Sequence, residues 1–179
     1  MNKMVKGAVF GSMIAAVSMT GHAADGTLGL TSNVDMNVQV TIPSLIKIHN
    51  VSNVDLGTYA VGTAPSATSN FCVWGNVNTY TMTITSTNPS GTNEPQMTDG
   101  SEFVAYDVYF DDNGAATAAS DAVSSGSVLT PAAPYSTAGG TITGNCANAS
   151  VFISVPETNL QAVSAGGYND TMTLLVAPI

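Results

Sequence analysis

Few side chains in this sequence have the reactivity that catalysis or metal binding requires. Past residue 23 there are two cysteines, Cys72 and Cys146, and a single histidine, His49. No Ser-His-Asp or Cys-His arrangement can be assembled around that histidine with any spacing logic. Two isolated cysteines without a Cys-x-x-Cys, together with one histidine, also fall short of a zinc site. Glu94, Asp99, Glu102 and Asp107 are the residue type of a glycosidase acid–base pair. They lie in a turn-rich stretch and at the start of a strand pattern, where solvated loop charges are the ordinary case. Asp111-Asp112-Asn113-Gly114 invites a calcium reading, but a glycine at the sixth loop position would place Tyr109 where the first acidic ligand belongs. Asn-Gly there reads instead as a hairpin turn. The expectation is a chain that is not an enzyme and takes no metal and no cofactor.

The cysteines gain a different meaning from the N-terminus. Lys3 and Lys6 precede an apolar run from Ala8 to Thr20, and Gly21-His22-Ala23 closes it with small residues. That is the layout of a secretory signal peptide, residues 1–23, cleaved after Ala23. The run is short of the roughly 20 apolar residues that span a bilayer. Later stretches are broken by Ser, Thr, Asn or Gly, so no membrane span is expected after cleavage. Thiols of an exported chain normally end as disulfides, so Cys72 and Cys146 are expected to pair within the chain. Closing a loop of about 75 residues stabilises by roughly 4–5 kcal/mol in the chain-entropy account.

Charge removes further classes. After residue 23, Lys47 stands alone against twelve Asp and Glu, and there is no arginine. A phosphate-binding surface needs clustered basic residues, so nucleic acid is excluded as a partner and anionic lipid is disfavoured. The remainder is rich in Thr, Ser, Asn, Gly and Ala, which suits an extracellular protein that packs against copies of itself.

The elements that position these residues follow a period of two. From Leu28 the even positions read Leu28, Leu30, Ser32, Val34, Met36, Val38, Val40 and Ile42, with polar residues or glycine between them, until Pro43. Further strands are expected at Leu45–His49, Val54–Tyr59, Phe71–Trp74, Tyr80–Thr85, Phe103–Phe110, Val151–Val155 and Tyr168–Val176, with a short one at Ser127–Thr130. Turn signals separate them. The expected fold is a single all-β sandwich of roughly seven short strands.

Several of these segments resemble known motifs in order and spacing. Val54-Asp55-Leu56-Gly57-Thr58-Tyr59 resembles the "D-L/F-G-x-Y" segment of spore coat U domain proteins and archaic chaperone–usher pilins. Phe71-Cys72-Val73-Trp74 with Tyr80-Thr81-Met82-Thr83 resembles their cysteine-bearing second strand. Val104-Ala105-Tyr106-Asp107-Val108-Tyr109 resembles their "L/V-x-Y-x-V/L-Y" strand. Ala165 to Leu174 resembles their closing "G-x-Y-x-D-T-x-x-V" strand. The sequence departs from the pattern at the first strand, which carries no cysteine, so the partner left for Cys72 is Cys146.

The resemblance implies an incomplete immunoglobulin-like sandwich that lacks its last strand and is completed by a donor strand. The sequence ends at Ile179, soon after the Tyr168–Val176 pattern, so the missing strand is expected from elsewhere. Residues 24–38 are expected to be a donor extension, with Leu28, Leu30, Val34, Met36 and Val38 as its inserting side chains, and residues 39–179 the pilin domain. Tyr168, Met172, Leu174 and Val176 are expected to line the acceptor groove. The partners implied are a periplasmic pilus chaperone, an outer-membrane usher and other copies of this chain or related pilins. The function implied is that of a fimbrial subunit polymerising by donor-strand exchange at the cell surface, in adhesion or biofilm formation. The alternative is a tip or adaptor adhesin that binds a surface or carbohydrate. A tip adhesin usually carries an extra binding domain, for which this length leaves no room.

Overall fold

The computed structural model describes residues 25–129 and 134–179. The expected signal segment lies outside these residues. The chain divides into two units, Met1–Thr41 and Ile42–Ile179. In the first, the described residues form no strand, and their apolar even positions are exposed.

The regular structure of the second unit is almost wholly antiparallel strand, with one helical turn at Glu157–Leu160. A five-stranded sheet has the order β1 (Ile46–His49), β2 (Ser66–Gly75), β9 (Ala149–Ser154), β6 (Asp107–Asp111), β7 (Asp121–Ala122). A three-stranded sheet has the order β10 (Met172–Pro178), β3 (Thr79–Ser86), β8 (Tyr135–Ser136), and β4 (Gln96–Thr98) pairs with β5 (Phe103–Ala105). Alternation explains how the two larger sheets meet. Phe71 and Val73 of β2, Val108 and Phe110 of β6, and Val151 and Ile153 of β9 face Tyr80, Met82 and Ile84 of β3 in one buried cluster. Phe110 meets Tyr135 edge-on at 4.7 Å between ring centroids, a favoured aromatic geometry. The result is a β-sandwich.

Several expected strands take a different form. Val54–Tyr59 is not a strand, because turn chemistry wins locally. The Gly57 amide donates to Asp55 Oδ1 at 2.8 Å, and Gly57 sits at φ +73°, which suits a residue without a Cβ. Phe103–Phe110 is not one strand but two. At Tyr106 the chain leaves β5 and enters β6, in another sheet, and the Tyr106 amide donates to the Pro95 carbonyl at 3.0 Å. β2 is longer than Phe71–Trp74, because Ser66 to Asn70 pair with β9 although their small side chains, all polar but Ala67, carry no apolar alternation. Tyr168 lies before β10, which starts at Met172. Val128 makes only an isolated bridge to Thr83. The Asp111–Gly114 turn is present, with the Asn113 amide donating to Asp111 Oδ1 and Gly114 at φ +74°.

Candidate functional site

β10 is paired on one side only among the described residues. Its ladder to β3 runs from Met172 opposite Ser86 to Pro178 opposite Tyr80. Met172, Leu174 and Val176 point inward, pack on the core cluster and stay half-buried, while Thr173, Leu175 and Ala177 face outward and are exposed. β1 is the corresponding edge of the other sheet. It approaches β10 without forming a ladder to it, and its Ile46 and Ile48 are half-buried against the same core. Val54 and Leu56 are likewise partly buried against the core. An apolar row beside unpaired backbone is costly when left open and is the kind of site an extended strand fills.

The start of β10 is fixed by Asp170. Its carboxylate accepts from Tyr106 Oη at 2.5 Å, Ser86 Oγ at 2.6 Å, the Thr171 amide at 2.8 Å, the Thr87 amide at 3.2 Å and Asn88 Nδ2 at 3.3 Å. Three other phenols bond carboxylates in the same way. Tyr59 donates to Glu157 at 2.7 Å, Tyr135 to Asp121 at 2.8 Å and Tyr168 to Glu102 at 3.1 Å. A chain with one lysine after residue 23 has little cationic charge for its carboxylates, and tyrosine hydroxyls stand in as donors. Burial first, then the Asp170 bond, pushes the Tyr106 phenol well above its ordinary range. Backbone and side-chain bonds from Ser164, then the Tyr168 hydroxyl, hold Glu102 below the usual carboxylate range.

Cys72 and Cys146 form a disulfide, with Cα atoms 5.2 Å apart and a sequence separation of 74. Phe71 and Val73 point into the core, so Cys72 points to the outer face of β2. There the loop from Ala138 to Cys146 covers it as a strap. Lys47 Nζ donates to the Ile142 carbonyl at 3.1 Å, His49 Nε2 bonds the Thr141 carbonyl at 2.7 Å, and Asn50 Nδ2 donates to the Gly144 carbonyl at 2.9 Å. Asn148 continues the sheet beyond β9 with its side chain. Its Oδ1 accepts from the Val73 amide at 2.9 Å, and its Nδ2 donates to the Val73 carbonyl at 3.0 Å. Gly140 lies so close to the Val73 carbonyl that a Cβ could not fit there.

Of the four carboxylates considered for acid–base work, Asp99 and Glu102 are engaged locally. Asp99 Oδ1 accepts from the amides of Ser101 and Glu102, which lower its pKa, and Glu102 ties down Ser164 and Tyr168. Asp107 is exposed on β6, and the Glu94 amide donates to Ser90 Oγ in a turn.

The side chains expected to insert elsewhere are presented outward. Leu28 and Leu30 are fully exposed, Met36 and Val38 are more than 80 % exposed, and Val34 is 56 % exposed. Ile46, Ile48, Asn148 and the carboxylate partners Asp121, Glu157 and Asp170 were not foreseen as site residues, and Glu102 was weighed only for acid–base work. The short alternation Ile46-Lys47-Ile48-His49 carried a signal for the first two. Tyr59, Tyr106, Tyr168 and Asp170 stand in the quoted motifs, but which carboxylate each phenol meets carried no signal, since the separations range from 14 to 98 residues.

Residues 31–174 match the Spore Coat Protein U domain. The chain belongs to that family. A comparison with curated proteins finds no match. Among solved structures, this spore coat U domain protein is similar to a chain described under "Chaperone-tip adhesin complex is vital for synergistic activation of CFA/I fimbriae biogenesis". That likeness has 16 % identity and a TM-score of 0.55, over 75 % of this chain and 42 % of the other. A second similarity is to a chain of the CsuC–CsuE chaperone–tip adhesion subunit pre-assembly complex from archaic chaperone-usher Csu pili of Acinetobacter baumannii. There the identity is 20 % and the TM-score 0.46, over 76 % and 40 % of the two chains. This chain thus spans about two-fifths of each solved chain, and the first likeness is one of fold. The spore coat U motifs now have local reasons. Gly57 makes the turn, Tyr59 reaches Glu157, Tyr106 marks the crossing between sheets, and Asp170 anchors β10.

Proposed function

We propose that this spore coat U domain protein is a structural subunit of a surface pilus assembled by a chaperone and an usher. The extension from Leu28 to Val38 of one copy lies along β10 of the next, placing its apolar side chains beside Met172, Leu174 and Val176. Before that exchange a periplasmic chaperone covers the same row, and an outer-membrane usher exports the growing fibre, which serves adhesion or biofilm formation. The carrying observation is the half-covered apolar row along β10, which among the described residues is paired on one side only, in a chain that also holds an exposed segment of apolar alternation interrupted only at Ser32. Main-chain bonds supply the affinity of such strand addition, and alternate side chains supply the fit.

Fibre assembly in cells, scored beside chaperone co-purification, tests this reading. Val34→Asp would place an unpaired charge in the acceptor core, and Asn37→Asp would leave it facing outward. Val34→Asp is expected to abolish fibres while leaving the chaperone complex intact, and Asn37→Asp to be nearly silent. Equal loss in both, or loss of the chaperone complex with Val34→Asp, would make the segment part of its own subunit's core.

A further inference from the structure

His49 and the two cysteines form the one close grouping of potential metal ligands among the described residues, with ligand atoms all within 4.8 Å of one another. The fold puts them there by register. His49 is the cross-strand partner of Cys72 in the β1–β2 ladder, so both side chains share the outer face, and the strap brings Cys146 over them. While the sulfurs are bonded to each other, neither is a thiolate and the set cannot ligate. An exported chain, however, reaches the periplasm with both thiols free.

We infer that the reduced, folded chain holds a borderline-soft divalent cation of the zinc type through His49, Cys72 and Cys146. Two thiolates and an imidazole are three of the four ligands of a tetrahedral site, and water completes it. Zinc–sulfur bonds of about 2.3 Å set the two sulfurs apart by little more than a van der Waals contact. The strap has room for that small opening on the Cys146 side, where Gly144 lies at φ +89° with open space around it. Nε2–H donating to the Thr141 carbonyl leaves the lone pair on Nδ1, and a backbone carbonyl is the kind of partner that fixes the tautomer of a metal-binding histidine. Binding displaces the two thiol protons. Disulfide formation removes two electrons and two protons and needs a disulfide oxidant, so the cation and the oxidant compete for one pair of sulfurs.

The test uses the purified processed protein, either oxidised or reduced with a dithiol that is then removed. Near-ultraviolet circular dichroism monitors the packing of Trp74, and zinc is measured after desalting. One zinc per chain is expected on the reduced protein and none on the oxidised one. Bound zinc should also slow reoxidation by glutathione disulfide at least about tenfold. His49→Ala removes one of the three ligands and should weaken zinc binding by more than about tenfold, the loss that follows even from removing an outer-shell partner, while the cysteines still oxidise. The proposal is overturned if the reduced protein takes no zinc, or if His49→Ala binds as tightly as the parent. It is equally overturned if zinc binds only to chains that have lost the native dichroism signal.

Discussion

Tyr106 and Asp170 join the two ends of the closing half of the sandwich, hydroxyl to carboxylate, at 2.5 Å. Tyr106 sits where the chain crosses from β5 to β6, and Asp170 sits two residues before β10, so one bond holds the start of the open edge against the core. Tyr106→Phe keeps the ring and removes the donor. It is expected to lower unfolding stability by about 1–3 kcal/mol in urea titration, the usual loss for a hydrogen bond to a charged group. Ser86 and three further donors remain on the carboxylate, so the fold should survive.

Alkali should unfold this protein through its phenols. Burial is the largest cause that raises Tyr80, Tyr106 and Tyr135, with neighbouring carboxylates adding to it. A folded pKa above the unfolded value of about 10 means the stabilisation is fully present below that pH and is lost as pH rises beyond it. Tyrosinate absorbance and circular dichroism, followed together, are expected to change in one cooperative step above pH about 10. Smooth ionisation with the dichroism unchanged would contradict this.

The β10 edge distinguishes neighbouring leucines. Leu174→Asp places a carboxylate in the half-buried row, whereas Leu175→Asp places it on a face that is 61 % exposed. The first is expected to lose both chaperone capture and stability, with a cost of at least about 1–3 kcal/mol. The second is expected to change stability by less than about 0.5 kcal/mol. Pull-down with the chaperone and urea midpoints read both.

Cys72→Ser with Cys146→Ser is expected to cost about 2–5 kcal/mol, because the unfolded chain regains the freedom of a long loop. Hydrogen exchange should locate the effect. The amides of the strap at Thr141 and Gly140, which donate to Cys72 Sγ and the Thr137 carbonyl, should lose protection before those of β9.

The sandwich was legible wherever one face of a strand is apolar, as at Tyr80, Met82 and Ile84 or at Val108 and Phe110. It was illegible where backbone pairing alone makes the strand, as at Ser66 to Asn70, whose side chains are small and, Ala67 apart, polar. The break at Tyr106 was hidden because inward alternation continues unbroken through it, from Val104 to Phe110, while the hydrogen-bond partners change sheets. Val54–Tyr59 shows the reverse, apolar alternation in a segment that Asp55 and Gly57 bend into a turn. Of the candidate groove, Met172, Leu174 and Val176 were readable from period two. Asn148, which mimics a strand with one side chain, leaves no periodic trace.

The strap over the outer face holds Lys47 by its amine, and beyond residue 6 no other lysine or arginine occurs. A trypsin-like enzyme therefore has one peptide bond to attack after the expected cleavage, inside a paired strand. Amine-directed reagents have only that side chain and the N-terminus to modify. Acylating Lys47 would remove its charge and disrupt its bond to Ile142, so ordinary lysine labelling would perturb the loop that covers Cys72.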